Sequence, residues 1–69
     1  MATKEKVLEH IRESDHPDVS RREIADAINV PYDSVMHATV SLQDEGKIEV
    51  SRQIGRVQMF TATDVGGDD

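Results

Sequence analysis

The chain contains no cysteine and very few aromatic side chains, with no Trp, one Phe and one Tyr among its 69 residues. The absence of cysteine excludes a disulfide framework, a thiolate nucleophile and a Cys-based zinc site. No apolar run approaches the roughly 18 residues of a membrane span, and no signal-peptide pattern opens the sequence. We therefore expect one small cytoplasmic domain with a thin core and no membrane partner.

Positive charge is also scarce, because eight Lys and Arg stand against 14 Asp and Glu, which gives a net charge of −6. This balance argues against a nucleic-acid partner, since such binding depends on cations that neutralise phosphates. Half of the net charge lies in Asp64, Asp68 and Asp69, within a segment (64–69) that we predict to be a flexible acidic tail. One interpretation of this charge is an ordinary acidic surface that keeps a small domain in solution.

The acidic residues include eight Asp and six Glu, whereas only three of the basic residues are Lys. This composition resembles that of halophilic proteins from salt-loving archaea. In about 1 M salt the Debye length is about 3 Å, so a negative surface repels a distant polyanion only weakly. The acidic composition therefore does not by itself exclude nucleic acid.

Residue patterns for catalysis or metal binding are missing as well. His10, His16 and His37 do not have the spacing of metal ligands, and no glycine elbow or phosphate loop occurs. A chain of this length also offers little volume for a deep pocket. We expect a protein that is not an enzyme, with no catalytic residue, metal or cofactor.

A first helix is indicated by the one-sided apolar stripe of Val7, Leu8 and Ile11. Thr3 is a candidate cap at its start. The helix is expected to end at the segment SDHPD (14–18), because its proline disfavours a helical conformation at the preceding residue.

A second helix is predicted within VSRREIADAIN (19–29), which has the clearest local pattern in the chain. Ser20 and Glu23 have the spacing of a capping box, and Val19 with Ile24 forms the matching hydrophobic staple. Asn29 is expected to end the helix, because Asn tolerates the left-handed conformation that a tight turn requires.

The third helix is predicted over 32–45, with Pro31 suited to its first position and Gly46 to the position after its end. Two alternating segments then form a predicted hairpin at 47–63, in which Gly55 supplies the positive φ of the turn. The extended segment around Val19 could pair with this hairpin as a third strand.

Several residues of the segment 3–63 occur in a characteristic order and spacing. They are Ser20, Glu23, Ile24 and Ala25 in the second helix, Ile28, Asn29 and Val30 in the turn, Ser34, Val35, Leu42 and DEGKI around the third helix, and Gly55, Arg56 and FTAT in the hairpin. Together they resemble the winged helix-turn-helix family. Two departures occur: Asn29 stands where the family usually has Gly, and Pro31 stands where a capping Ser or Thr is common.

The resemblance implies an α+β fold in which three helices precede a two-stranded wing, or a three-stranded one if the segment around Val19 pairs. It also implies sequence-specific binding of double-stranded DNA by a small transcription regulator. The third helix (32–45) would enter the major groove, while the hairpin (47–63) would lie on the DNA backbone.

At about 100° per residue, the third helix separates into a buried face and an exposed one. The exposed face has no cation, so we expect its side chains to read bases and basic residues elsewhere to hold phosphates. The candidates for base reading are Tyr32, Ser34, Met36 and His37. The candidates for phosphate binding are Ser20, Arg21, Arg22, Lys47, Arg52 and Arg56.

The same exposed face permits a different function. Met36 and Val40 are apolar and lie one turn apart, and Asp44 with Glu45 makes the end of the helix acidic. A protein-binding winged helix, such as an adaptor, an antirepressor or a nucleic-acid mimic, would use such a surface. A homodimer could use it too.

Overall fold

Three helices and three short strands form the part of the chain that the computed structural model describes, residues 2–63. The predicted α+β class is confirmed, whereas the predicted tail (64–69) lies outside the described residues. In chain order the elements are α1 (Thr3–Glu13), β1 (Val19–Ser20), α2 (Arg21–Ile28), α3 (Tyr32–Asp44), β2 (Ile48–Ile54) and β3 (Val57–Ala62).

The strands form one antiparallel sheet in the order β1-β3-β2. Val19 pairs with Phe60, so the extended segment before α2 does join the hairpin as a third strand. An irregularity between Val50 and Arg52 shifts the pairing of β2 with β3. Successive strand residues face opposite sides, so this shift changes the side of the sheet on which Arg52 lies.

The core lies between the helices and one face of the sheet. Its centre is Phe60 of β3 and Ile24 of α2, both with fully buried side chains. The other buried apolar residues are Val7, Leu8, Ile11, Val19, Ala25, Val35, Ala38, Leu42 and Ile48. The apolar stripe expected on α1 is buried in full. On α3, Val35, Ala38 and Leu42 are buried as expected, whereas Pro31, which was expected on the same face, is exposed.

The start of α2 follows its local sequence. The Ser20 hydroxyl accepts a hydrogen bond from the Glu23 N–H at 3.2 Å, and the Glu23 carboxylate accepts one from the Ser20 N–H at 2.9 Å. Asn29 ends the helix with φ of 59°, and its N–H donates to Ala25 O. The predicted capping box and the left-handed Asn29 are therefore confirmed.

The positions predicted for Thr3 and Pro31 at the helix starts are each wrong by one residue. Thr3 is the first residue of α1 and not its cap; Ala2 takes the N-cap position, where its N–H donates to the Glu5 carboxylate at 3.3 Å. Pro31 is the N-cap of α3, with ψ of 147°, and not its first helical residue. It therefore provides α3 with no side-chain cap.

Two glycines end α3 and turn the hairpin as predicted. Gly46 has φ of 74°, and the N–H groups of Gly46 and Lys47 donate to Gln43 O and Leu42 O. Gly55, with φ of 62°, begins the two-residue turn between Ile54 and Val57. Within residues 2–63, no helix has the length and apolar character needed to cross a membrane.

Candidate nucleic-acid interface

A cavity of about 300 Å³ lies between the start of α2, the start of α3 and the hairpin. These three elements meet there because β1 leads directly into α2 and pairs with β3. The cavity is lined by Ser20, Arg21, Arg22, Tyr32, Arg56, Val57 and Gln58. Four of the six residues predicted to bind phosphate are in this set, together with one predicted to read bases.

Arg22 and Arg56 are the cations of the cavity that remain available to a ligand. Both side chains are exposed, and neither makes a hydrogen bond or an ion pair within the described chain. Arg22 belongs to the first turn of α2, and Arg56 belongs to the hairpin turn. The fold therefore brings two unpaired guanidinium groups, 34 residues apart in the sequence, to one cavity.

Arg21 has a different environment, because its guanidinium already has partners inside the fold. Its Nε donates to Thr39 Oγ1 at 2.8 Å and its Nη1 donates to Gln58 Oε1 at 3.1 Å. The guanidinium carbon also lies 4.7 Å from the centre of the Phe60 ring, within the range of a cation–π contact. Arg21 thus connects α2 to α3 and β3, and it also lines the cavity.

Arg52 is also engaged. Its Nε and Nη2 donate to the two carboxylate oxygens of Asp18, at 2.9 and 3.3 Å. Asp18 is only 6% exposed, so its charge is compensated mainly by this guanidinium. The pair connects β2 to the segment before β1, and Arg52 does not line the cavity.

The predicted phosphate ligand Lys47 is 3.6 Å from the Glu45 carboxylate. Lys4 of α1 forms a second, closer ion pair with the same carboxylate. The hydrogen bond from Lys4, with the nearby charge of Lys47, lowers the pKa of Glu45 below its ordinary value. The acid at the end of α3 therefore neutralises lysines of its own chain.

The exposed face of α3 carries three aliphatic or aromatic side chains at i, i+4 and i+8. Tyr32, Met36 and Val40 are 43%, 37% and 50% exposed. Asp33 and Asp44 are exposed beside them, about 20–80° further around the helix from Met36 and Val40. The face is thus an apolar stripe with one acidic edge.

Ser34 lies away from this stripe. It is half-buried and lines a shallow surface depression together with Thr3 and Lys4 of α1. His37 is exposed but lines the same depression. Of the four predicted base-reading residues, Tyr32 and Met36 share the apolar stripe, whereas Ser34 and His37 lie toward α1.

Sequence reasoning missed the internal partners of the two engaged arginines, namely Thr39, Gln58 and Asp18. For Arg21 a signal was present, because Ile24, Ala25 and Ile28 follow at i+3, i+4 and i+7, which places Arg21 on the buried stripe of α2. Arg22 is about 100° away, on the exposed side. For Arg52 no local signal was present, because Asp18 is 34 residues away and the irregularity after Val50 changes the side of the sheet on which Arg52 lies.

Comparison of the chain with protein families, with curated proteins and with solved structures found no match. Within residues 2–63, no three His, Asp or Glu side chains come together in a group that could hold a metal ion.

Proposed function

We propose that this protein binds double-stranded DNA as a small winged helix-turn-helix transcription regulator. The observation that carries the proposal is the convergence of the unpaired Arg22 and Arg56 on one cavity beside the start of α3. The order of elements is compatible with a winged helix, in which α3 would enter the major groove and the β2–β3 hairpin would be the wing.

In this proposal, Arg22 and Arg56 hold DNA phosphates on the two sides of the cavity. The capping box satisfies the Glu23 N–H, and the remaining N–H groups in the first turn of α2 favour an anion at the start of this helix. Arg21 and Arg52 are not assigned to phosphate, because Arg21 is bound to Thr39 and Gln58 and Arg52 to Asp18. Their proposed role is to hold the hairpin in position relative to α2 and α3.

Base reading is assigned to the exposed side chains near the start of α3. Tyr32 and Met36 can make apolar contacts with a thymine methyl group, and the Tyr32 hydroxyl can also donate or accept. His37, on the α1 side of the helix, can hydrogen-bond to a base edge. We expect His37→Ala to change the base preference in a binding-site selection more than the general affinity. A uniform loss of affinity for all sequences would contradict a reading role.

The salt dependence of DNA affinity provides the main test. The logarithm of the affinity falls with the logarithm of salt concentration by about 0.9 for each phosphate neutralised. If Arg22 and Arg56 each neutralise one phosphate, the slope is about −1.8, and Arg22→Ala or Arg56→Ala reduces it to about −0.9. Fluorescence anisotropy with a labelled duplex, from low to molar salt, measures the slope.

Lys6→Ala is the matched control, because Lys6 is an exposed cation on α1 that has no partner within the described chain and does not line the cavity. We expect this variant to keep the slope of the original protein. Absence of DNA affinity at every salt concentration would refute the proposed function, and equal changes for all three variants would refute the assignment of Arg22 and Arg56.

A second candidate function is favoured by the apolar stripe of α3. Tyr32, Met36 and Val40 have the spacing by which a helix docks into a partner protein, and the acidic edge complements a basic partner. In this case the protein would be an adaptor or an antirepressor, or would form a homodimer through the same stripe.

The two functions predict different effects of Val40→Asp. If the stripe binds a protein, Val40→Asp abolishes capture of that partner in a pull-down, or abolishes self-association in sedimentation. A Val40→Ser variant controls for the loss of apolar area without added charge, and should weaken the same interaction less. Unchanged capture and self-association in both variants would refute this second function.

A further inference from the structure

The cavity between α2, α3 and the hairpin has more volume than contact with one DNA phosphate requires. Its volume of about 300 Å³ is at the lower end of the range for small-molecule sites. Besides the polar Ser20 and Gln58, its lining combines the arginines with the Tyr32 ring and Val57. This combination suits a molecule that has both an anionic group and an apolar or planar part.

The charges around the cavity are one-sided. Arg21, Arg22 and Arg56 line it, and no Asp or Glu does so among the described residues. Two acids directly follow lining residues along the chain. Glu23 accepts the hydrogen bond from the Ser20 N–H, as the second half of the capping box, and the exposed Asp33 follows Tyr32 in the first turn of α3. In a protein with a net charge of −6, three of the eight basic residues therefore surround one cavity.

We propose that this cavity binds a small phosphate monoester, with the phosphate between Arg22 and Arg56 and the organic part against Tyr32. Each guanidinium can donate two parallel hydrogen bonds to a phosphate, and a monoester is close to a dianion above pH 7. The Ser20 and Tyr32 hydroxyl groups provide further donors. A bound monoester would exclude a DNA phosphate from the same arginines, so the molecule would act as an inducer. This regulatory part rests on the proposed DNA-binding function.

Direct binding can be measured on the full chain without DNA. The arginine Nε–H signals of ¹⁵N-labelled protein are followed by NMR while inorganic phosphate, adenosine 5′-monophosphate or adenosine is added at constant ionic strength. We expect saturable shifts for Arg22 and Arg56 with the two phosphates. We also expect tighter binding of the monophosphate than of inorganic phosphate, and no such shifts with adenosine.

Variants locate the site. Arg22→Ala and Arg56→Ala should each weaken binding of the monophosphate about tenfold or more, as expected for the loss of a charge-assisted contact. Tyr32→Ala should remove the advantage of the monophosphate over inorganic phosphate. Lys6→Ala should change the affinity less than about twofold, because a distant surface charge is screened by salt. Absence of saturable shifts, or an equal loss in Lys6→Ala, would overturn the proposal.

A competition experiment separates the inducer proposal from the proposed function. If the protein binds DNA, the monophosphate should release a labelled duplex in proportion to its occupancy of the cavity, and adenosine should not. Retention of the duplex on a protein saturated with monophosphate would overturn the inducer role. If the protein binds no DNA, the DNA-binding function and the inducer role fail together, whereas the NMR titration still decides whether the cavity binds the monoester.

Discussion

Arg21 and Arg22 are consecutive in the sequence and lie in opposite environments. The Arg21 guanidinium is half-buried, bonded to Thr39 and Gln58, and stacked on Phe60. The Arg22 guanidinium is exposed and has no partner within the described chain. A rotation of about 100° per residue along α2 is enough to separate a residue that holds the fold together from one that can bind a ligand.

The hairpin also contains two arginines, of which one is bonded within the fold and the other is not. Arg52 is bonded to the buried carboxylate of Asp18, whereas Arg56, in the turn, has no partner within the described chain. The two engaged arginines connect the hairpin to the rest of the fold. The two unpaired ones line the cavity, where the engaged Arg21 is their neighbour. The charge that is available to a ligand is therefore about half of what these four residues suggest.

The largest effect on stability is expected for Arg21→Ala. The substitution removes two hydrogen bonds and a cation–π contact, and leaves the side-chain oxygen of Gln58 without its donor. We expect the free energy of unfolding to fall by about 2–3 kcal/mol, which lowers the melting temperature by roughly 8–24 °C in a domain of this size. Urea and thermal denaturation measure the change.

Arg22→Ala is the control for this prediction, because it removes the neighbouring charge without removing a contact within the described chain. We expect it to change the free energy of unfolding by less than about 0.5 kcal/mol. Equal destabilisation by the two variants would show that the hydrogen bonds of Arg21 do not distinguish it from an exposed residue of α2.

Local sequence was sufficient to predict most of the fold and only part of the candidate site. The capping box of Ser20 and Glu23, the left-handed Asn29 and the turn at Gly55 depend on residues within a few positions, so their patterns are visible in the sequence. The partners of Arg21 are 18 and 37 residues away. No local pattern identifies such partners, although the helical spacing of Arg21 indicates that it faces inward.

The environment of Arg52 illustrates a second limit to what the sequence predicts about the site. Strict alternation from the buried Ile48 would place Arg52 on the same side of the sheet as the core. The shift in pairing after Val50 gives Arg52 the partner Met59, next to Phe60, and puts it on the opposite side. Asp18, which compensates its charge, is 34 residues away. The extra residue after Val50 thus places Arg52 on the side of the sheet opposite the core, and strict alternation does not predict this.

An intermediate effect is expected for Arg52→Ala. The variant leaves the Asp18 carboxylate, which is 6% exposed, without its bidentate partner. We expect a loss of about 1–2 kcal/mol in the free energy of unfolding, smaller than for Arg21→Ala because Arg52 itself is mostly exposed. Arg56→Ala is the matched control and should change this free energy by less than about 0.5 kcal/mol.

A double-mutant cycle isolates the ion pair from other effects of Arg52. Asp18→Asn and Arg52→Ala should show a coupling free energy of about 1 kcal/mol when combined. Purely additive effects would mean that the pair contributes nothing beyond the separate environments of the two side chains. In that case the ion pair with Asp18 would not distinguish the contribution of Arg52 to stability from that of Arg56.

The smallest effect on the free energy of unfolding is expected for Glu45→Gln. This variant tests whether the lysines, like Arg21 and Arg52, are engaged by groups of their own chain. The pKa of Glu45 is lowered by the hydrogen bond from Lys4 and by the charge of Lys47. A carboxylate with a lowered pKa stabilises the fold above its ordinary pKa, and this contribution is lost as the pH falls through the lowered value. We therefore expect the stability difference between the original protein and Glu45→Gln to be present at neutral pH and to disappear on acidification, as the pH falls from above the ordinary pKa of a Glu carboxyl through the lowered pKa of Glu45.

Because the Glu45 side chain is well exposed, about 1 M salt should also remove this difference. Glu49→Gln is the control, since Glu49 is an exposed acid of β2 that forms no ion pair within the described chain. Denaturation curves for both variants at several pH values measure the effect.

The same variant tests the predicted phosphate role of Lys47. If Glu45→Gln makes the salt slope of DNA binding more negative, Lys47 becomes available to a phosphate once its acid is removed, as that role requires. An unchanged slope would leave Arg22 and Arg56 as the cations of the proposed interface.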